Sequence, residues 1–141
     1  MPSDWKECKI KDLCSNVTSG GTPKSTNLEY YNGGSIPWLN TKEVHFNRIY
    51  NTEKHITESG LKNSAAKWIK KNNVIVAMYG ATAGNIAINK IPLTTNQACC
   101  NLEINEKLLI IDLYITIYLI NIRYYLLWQM EEHNKILIHY R

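Results

Sequence analysis

The sequence has no CxxC pair and no short His–Cys cluster. Its four cysteines are Cys8, Cys14 and the neighbours Cys99 and Cys100, which excludes the common zinc frames and reads as reduced thiols. It has no G-x-x-x-x-G-K-[ST] frame, so a Walker-type phosphate cradle is excluded, and no dinucleotide fingerprint follows a strand. No nucleophile–base pair, carboxylate pair or metal-ligand set assembles from local spacing. His45, His55, His133 and His139 are scattered. Neither a catalytic residue nor a metal ligand nor a cofactor is therefore assigned. The start, MPSDWKECKIKDL, is charged and has no apolar stretch after basic residues, so the expectation is a cytoplasmic protein with no signal or transit peptide. Internal repeats and low-complexity tracts are missing too.

What is present fits one ordinary domain: 141 residues, 45% hydrophobic and 20% charged, enough to bury a core. A formal charge of +4 favours a polyanionic partner without demonstrating one. Residues 108–130, LLIIDLYITIYLINIRYYLLWQM, are long and apolar enough to span a bilayer but contain Asp112 and Arg123, which are costly in lipid. The expectation is a long helix capped near Asp112. It would pack on a sheet through Leu113, Ile117, Ile120 and Leu127, with a membrane-associated segment as the competing reading.

Along the chain, DWKECKIKDLCSNV reads as a strand and then a short helical turn. GSIPWLNT reads as a strand that Pro37 assigns to a sheet edge or a strand start. Thr57 caps a brief helical turn that Gly60 interrupts. Two β-rich runs, Val74 to Tyr79 and Asn85 to Ile88, flank the small-residue turn GATAG and predict a hairpin. LTTNQACCNLEI supplies another strand. Trp38, Trp68 and Trp128 are assigned to the core. The sum is an α+β fold: a twisted, mostly antiparallel sheet with hairpins and a long C-terminal helix packed on it. The stretch SGGTPKSTNLEYYNGGSIPW at 19–38 is glycine-rich but not a phosphate loop. Its glycines are expected to let the chain turn with positive φ, leaving Lys24 a surface cation.

The ordered set SGGTPKSTNLEYY, GSIPWLNTKEV, ITESGLKNSAAKWI, NNVIVAMYGATAGNIAI and TTNQACCNLEI resembles the target recognition domain of the specificity subunit of type I restriction-modification systems. The resemblance runs over about residues 5 to 130. It implies a non-catalytic chain that reads one half of a split target in double-stranded DNA, while separate methyltransferase and restriction subunits do the chemistry.

Reading B-form DNA calls for Asn, Gln, Arg or Lys on base edges and for hydroxyls and lysines on phosphates. The candidate DNA-facing rim is Thr22, Lys24 and Ser25 in the first loop, Asn40, Thr41 and Lys42 after the IPW strand, and Tyr79, Thr82 and Asn85 around the hairpin turn. Each also has a plain reading as turn chemistry. Asn96 and Gln97 belong to a motif of the resembled family, and amides beside a strand also satisfy buried backbone groups.

Two departures from the pattern stand out. Asn85 occupies a position that is often basic in the resembled family. The chain also closes with EEHNKILIHYR, too short for the long spacer helix that such subunits carry. The expected organisation is a recognition domain over 1–130 and a short tail over 131–141. Such a chain could pair with a second copy as a half-subunit. A vestigial or stand-alone DNA-binding fragment is the alternative.

Overall fold

The computed structural model describes residues 5–9, 12, 14–105 and 135–139. Two compact units divide the chain: Val17–Glu103, and Met1–Asn16 together with Ile104–Arg141. In the second of these, strand β1 (Trp5–Lys9) pairs antiparallel with β10 (Lys135–His139), Trp5 opposite His139. β10 lies in the segment expected as a tail.

The Val17–Glu103 unit is built of short strands. β3 (Ile36–Leu39), β5 (Lys54–Ile56) and β8 (Thr94–Thr95) form one sheet in the order β5-β3-β8. The other sheet runs β2-β9-β6-β7-β4, from β2 (Cys14–Ser19), β9 (Cys99–Ile104), β6 (Val74–Ala77), β7 (Ile86–Asn89) and β4 (Asn47–Ile49). Pairing is mixed: β3 is parallel to β8 and β4 to β7, while β3–β5, β6–β7 and β6–β9 are antiparallel.

The α+β expectation is therefore corrected. The described residues are mostly β, and their single α-helix is α1, the five residues Glu58–Lys62. The expected long C-terminal helix was inferred from the apolar run at 108–130. That run lies outside the described residues, as do Trp128 and the four positions expected to pack on the sheet. Among the described residues no helix is long and apolar enough to cross a membrane.

Side-chain volume explains where the core sits. Leu39 from β3, Ile75 and Ala77 from β6, Ala87 from β7 and Cys99 from β9 are buried together with Val44, Ile49, Ile69 and Leu93, so both sheets contribute to one cluster. All four residues of β6 and of β7 are buried, as the apolar runs VIVA and IAI imply for strands covered on both faces, and Asn89 is buried with its Nδ2 donating to the Lys70 and Ile91 carbonyls. The hairpin predicted over these residues is present, with Val74 opposite Ile88 and Val76 opposite Ile86. A second cluster gathers Ile36, Trp38, Ile56 and Ala66, flanked by Tyr31 and Leu61.

Several local expectations change. β3 is the middle strand of its sheet, with Pro37 inside it. Successive carbonyls of a strand point to opposite sides, and the Pro37 carbonyl accepts from Thr94 Oγ1 at 2.8 Å. Its missing N–H therefore faces β8, whose register begins only at Trp38, and no ladder bond is lost. Thr57 caps α1, accepting from Gly60 N at 3.1 Å, but Gly60 lies within the helix rather than ending it. A Cβ there would sit 2.6 Å from the Tyr30 carbonyl oxygen, so the residue is small because a neighbouring turn packs against it. Trp68 is 48% exposed, not core. Ile69 takes the inward position by bridging to Leu93, and strand alternation turns its neighbour out. β1 is followed by Asp12 in a 3-10 turn, as the short helical turn expected there implies, and from Cys14 the chain enters a second strand.

Candidate nucleic-acid interface

The first loop owes its shape to close backbone contact. A Cβ on Gly20 would fall 1.9 Å from the Thr95 carbonyl oxygen, and one on Gly21 would fall 2.4 Å from Ala65 C and Ala66 N. Neither glycine has positive φ, which is confined among glycines to Gly33, Gly80 and Gly84. The expectation that the glycines of 19–38 turn with positive φ holds at Gly33 but not at Gly20 and Gly21, which are there because the chain threads between two other segments.

Two aromatic side chains pin the backbone from Gly21 to Pro23. The Trp38 indole donates to the Gly21 carbonyl at 3.0 Å, the Tyr31 hydroxyl donates to the Pro23 carbonyl, and the rings meet edge to face with centroids 6.0 Å apart. Burial pushes the Tyr31 phenol above its ordinary pKa. Pro23 is fully buried, so Thr22, Lys24 and Ser25, all exposed, project from a fixed base. Among the described residues no carboxylate pairs with Lys24.

The second loop is a 3-10 turn, Thr41–Glu43, capped by Asn40. The Glu43 carboxylate organises it: Oε2 accepts from Asn40 N at 3.0 Å and Oε1 from Glu53 N at 2.9 Å. One side chain thereby ties the 40–43 turn to residue 53. Lys42 Nζ then lies 2.8 Å from Glu53 Oε2, with both side chains about three-fifths exposed (62% and 61%). The hydrogen bond and the opposite charge raise the Lys42 pKa and lower that of Glu53. Sequence reasoning missed Glu53 because the pair spans a loop and carries no motif.

Asn96 ties this turn to the 95–97 segment, which reaches the first loop through Thr95 and Gln97. Its Nδ2 donates to Asn40 Oδ1 at 3.4 Å, its backbone N–H donates to the Leu39 carbonyl at 3.0 Å, and its Oδ1 accepts from Ala98 N at 3.2 Å. The amide therefore holds backbone in place, at the junction of β3 and β9. Asn40 Nδ2 is buried and has no partner among the described residues. Gln97 is exposed, and its Oε1 accepts from the Thr22 hydroxyl. Gly21 N donates to the Thr95 carbonyl at 3.0 Å, completing the seam.

The third contributor is the β6–β7 turn. Tyr79 is 57% exposed, and its hydroxyl reaches the Gln97 carbonyl only at 3.5 Å. Thr82 is buried and donates to the Thr41 carbonyl at 2.7 Å. Asn85 Nδ2 donates to the Val44 carbonyl at 3.0 Å. Both side chains act as struts that fasten the turn to the 41–44 segment, an arrangement between residues 41 positions apart that sequence spacing does not display.

All eleven candidates therefore lie along one hydrogen-bonded chain of loops, 21–25 to 95–97 to 40–44 to 79–85. Thr22, Lys24, Ser25, Lys42, Tyr79 and Gln97 are exposed along it, while Asn40, Thr41, Thr82, Asn85 and Asn96 are more enclosed. The arrangement offers hydroxyls, amides and two cations and holds no metal cluster among the described residues. Cys99 is buried, and burial pushes its thiol up to about 12, so it is no nucleophile at neutral pH.

The sequence pattern of the family described as type I restriction modification DNA specificity domain matches residues 2–136. The chain is 38% identical over 105 residues to the type I restriction enzyme MjaIX specificity subunit of Methanocaldococcus jannaschii, covering 72% of this chain and 24% of that protein. It is 29% identical over 98 residues to the EcoR124I/EcoR124II specificity subunit of Escherichia coli, covering 67% and 24%. The chain thus spans about a quarter of the length of these relatives. Among solved structures, the HsdS subunit from Thermoanaerobacter tengcongensis superposes with TM-score 0.59 at 18% identity, over 89% of this chain and 28% of that one. The type I system S subunit from M. genitalium gives 0.63 at 17%, over 97% and 35%. At such identities these superpositions speak for the fold.

Proposed function

The chain belongs to the type I restriction modification DNA specificity domain family, and on that premise we propose that it reads part of a double-stranded DNA target through the rim of loops at 21–25, 40–44, 79–85 and 95–97. It does so without catalysis of its own, beside methyltransferase and restriction subunits that modify and cut, and in the cytoplasm. A single recognition domain contacts one half of a split site, so pairing with a second copy would supply the other half.

The observation that carries the reading is the hydrogen-bonded seam. Side chains suited to phosphates and base edges come from four separated segments, and Trp38, Tyr31, Glu43, Thr82 and Asn96 fix their backbones relative to one another. Sequence readout needs side chains held in register with a duplex, because the donor and acceptor pattern of a base edge is read at hydrogen-bond precision. Lys24 supplies a phosphate contact and Thr22 and Gln97 polar contacts. Asn85, its Nδ2 already bound to backbone, contributes by holding the turn that carries Tyr79.

The test is selection of duplexes from a random library by the purified chain, alone and with a methyltransferase subunit, and then fluorescence anisotropy on the enriched sequences. Enrichment of a common short sequence is the expected result. No enrichment under either condition, with the chain folded, contradicts the reading.

A further inference from the structure

The Lys42–Glu53 pair sits on the rim itself, and its construction differs from that of an incidental surface contact. Glu53 is held in place through its backbone, since its N–H donates to Glu43 Oε1 at 2.9 Å while the other oxygen of the same carboxylate accepts from Asn40 N at 3.0 Å. The segment bearing the anion and the turn bearing the cation are thus fastened to one hub, and Glu53 Oε2 arrives 2.8 Å from Lys42 Nζ. By contrast, Lys70 and Glu103 approach only to 3.5 Å. Lys24, on the neighbouring loop, has no carboxylate partner among the described residues.

We infer that Glu53 is a built-in phosphate surrogate: its carboxylate occupies Lys42 in the free domain and must be displaced before Lys42 can take a DNA phosphate, which restrains sequence-independent binding. The inference rests on the DNA reading above and assigns Glu53 a role within it. Its chemistry is ion exchange. When Lys42 moves to a phosphate, the duplex releases counterions, but the abandoned carboxylate takes up a cation, so the net release and the affinity are both smaller than one free lysine would give.

An exposed pair of this kind is weak, which sets the scale of the effect at about threefold to fivefold in affinity. Because both side chains are exposed and Glu53 is positioned by its backbone, a Gln at 53 keeps the fold.

The experiment is anisotropy of the full chain on a labelled random-sequence duplex across a salt series. It compares the parent, Glu53→Gln, Lys42→Ala and the double variant, with Glu58→Gln as a control for removing one negative charge elsewhere. Glu53→Gln is expected to tighten binding about threefold to fivefold at low salt and to steepen the salt dependence by up to about one unit of slope. In the Lys42→Ala background the same substitution should gain less and leave the slope unchanged, since no pair remains to be exchanged. Equal gains with and without Lys42, or a gain no larger than that of Glu58→Gln, overturn the inference and leave DNA binding by the rim standing. A folded parent that binds no duplex overturns the DNA reading and this inference together.

Discussion

Two glycine-bearing loops of the rim, 20–25 and 79–85, solve the same problem in opposite ways. Gly20 and Gly21 have ordinary φ and no room, with Thr95 and Ala65–Ala66 pressed against the positions a Cβ would take. Gly80 has φ +88 and open space around it. The first loop is thus fixed by packing and by two aromatic donors, buried Trp38 and half-buried Tyr31. The second is fixed by backbone conformation and by two side-chain struts, Thr82 and Asn85. The lesson is that a glycine count does not say which constraint operates; the neighbours do.

That contrast can be broken most directly at the glycines themselves. Gly20→Ala should destabilise the fold by about 3 kcal/mol, the upper range for forcing an atom into a packed site, whereas Gly80→Ala should cost about 1 kcal/mol, the strain of a left-handed alanine. Urea denaturation measures both, and equal losses would erase the distinction. Trp38→Phe comes next. It keeps most of the packing but leaves the Gly21 carbonyl without its indole donor, for about 1–2 kcal/mol. Thr82→Val should cost about 1 kcal/mol through loss of the bond to Thr41, and it should raise amide exchange at 41–44 because the strut is gone. The smallest effect on stability belongs to Lys24→Ala, within about 0.5 kcal/mol of the parent as befits an exposed side chain. On a random duplex the same variant should lose about 0.9 of salt-slope magnitude.

Much of this was legible from residue order. The apolar runs around GATAG announce β6 and β7, the cap at Thr57 announces α1, and IPWL announces β3, because these signals are local. The rest was not legible because it depends on partners far along the chain. Gly20 is explained by Thr95, Trp38 by Gly21, Thr82 by Thr41 and Asn85 by Val44, and no turn or period signal links side chains to backbone 17 or 41 positions away. Trp68 misled for a related reason: its hydrophobicity says core, but Ile69 holds the inward place. The α+β class rested on the apolar run at 108–130, whereas the strands of the described residues, two to six residues long, are linked by turns and one five-residue helix.

A further contrast bears on the central claim. The β6–β7 hairpin has the proposed rim at its turn and, beyond its four-residue strands, a basic end with exposed Lys70 and Lys71, where Lys90 Nζ donates to Asn72 Oδ1 at 3.0 Å. The strands separate the two ends by roughly 13 Å, so the amides of each end report on it separately. Amide chemical-shift mapping of the isotope-labelled chain during titration with a duplex distinguishes them in one experiment. The account predicts shifts concentrated at Thr22, Lys24, Thr41, Lys42, Tyr79 and Gln97, with Lys67 to Asn72 unmoved. Shifts centred on Lys67 to Asn72, with the rim silent, would contradict it.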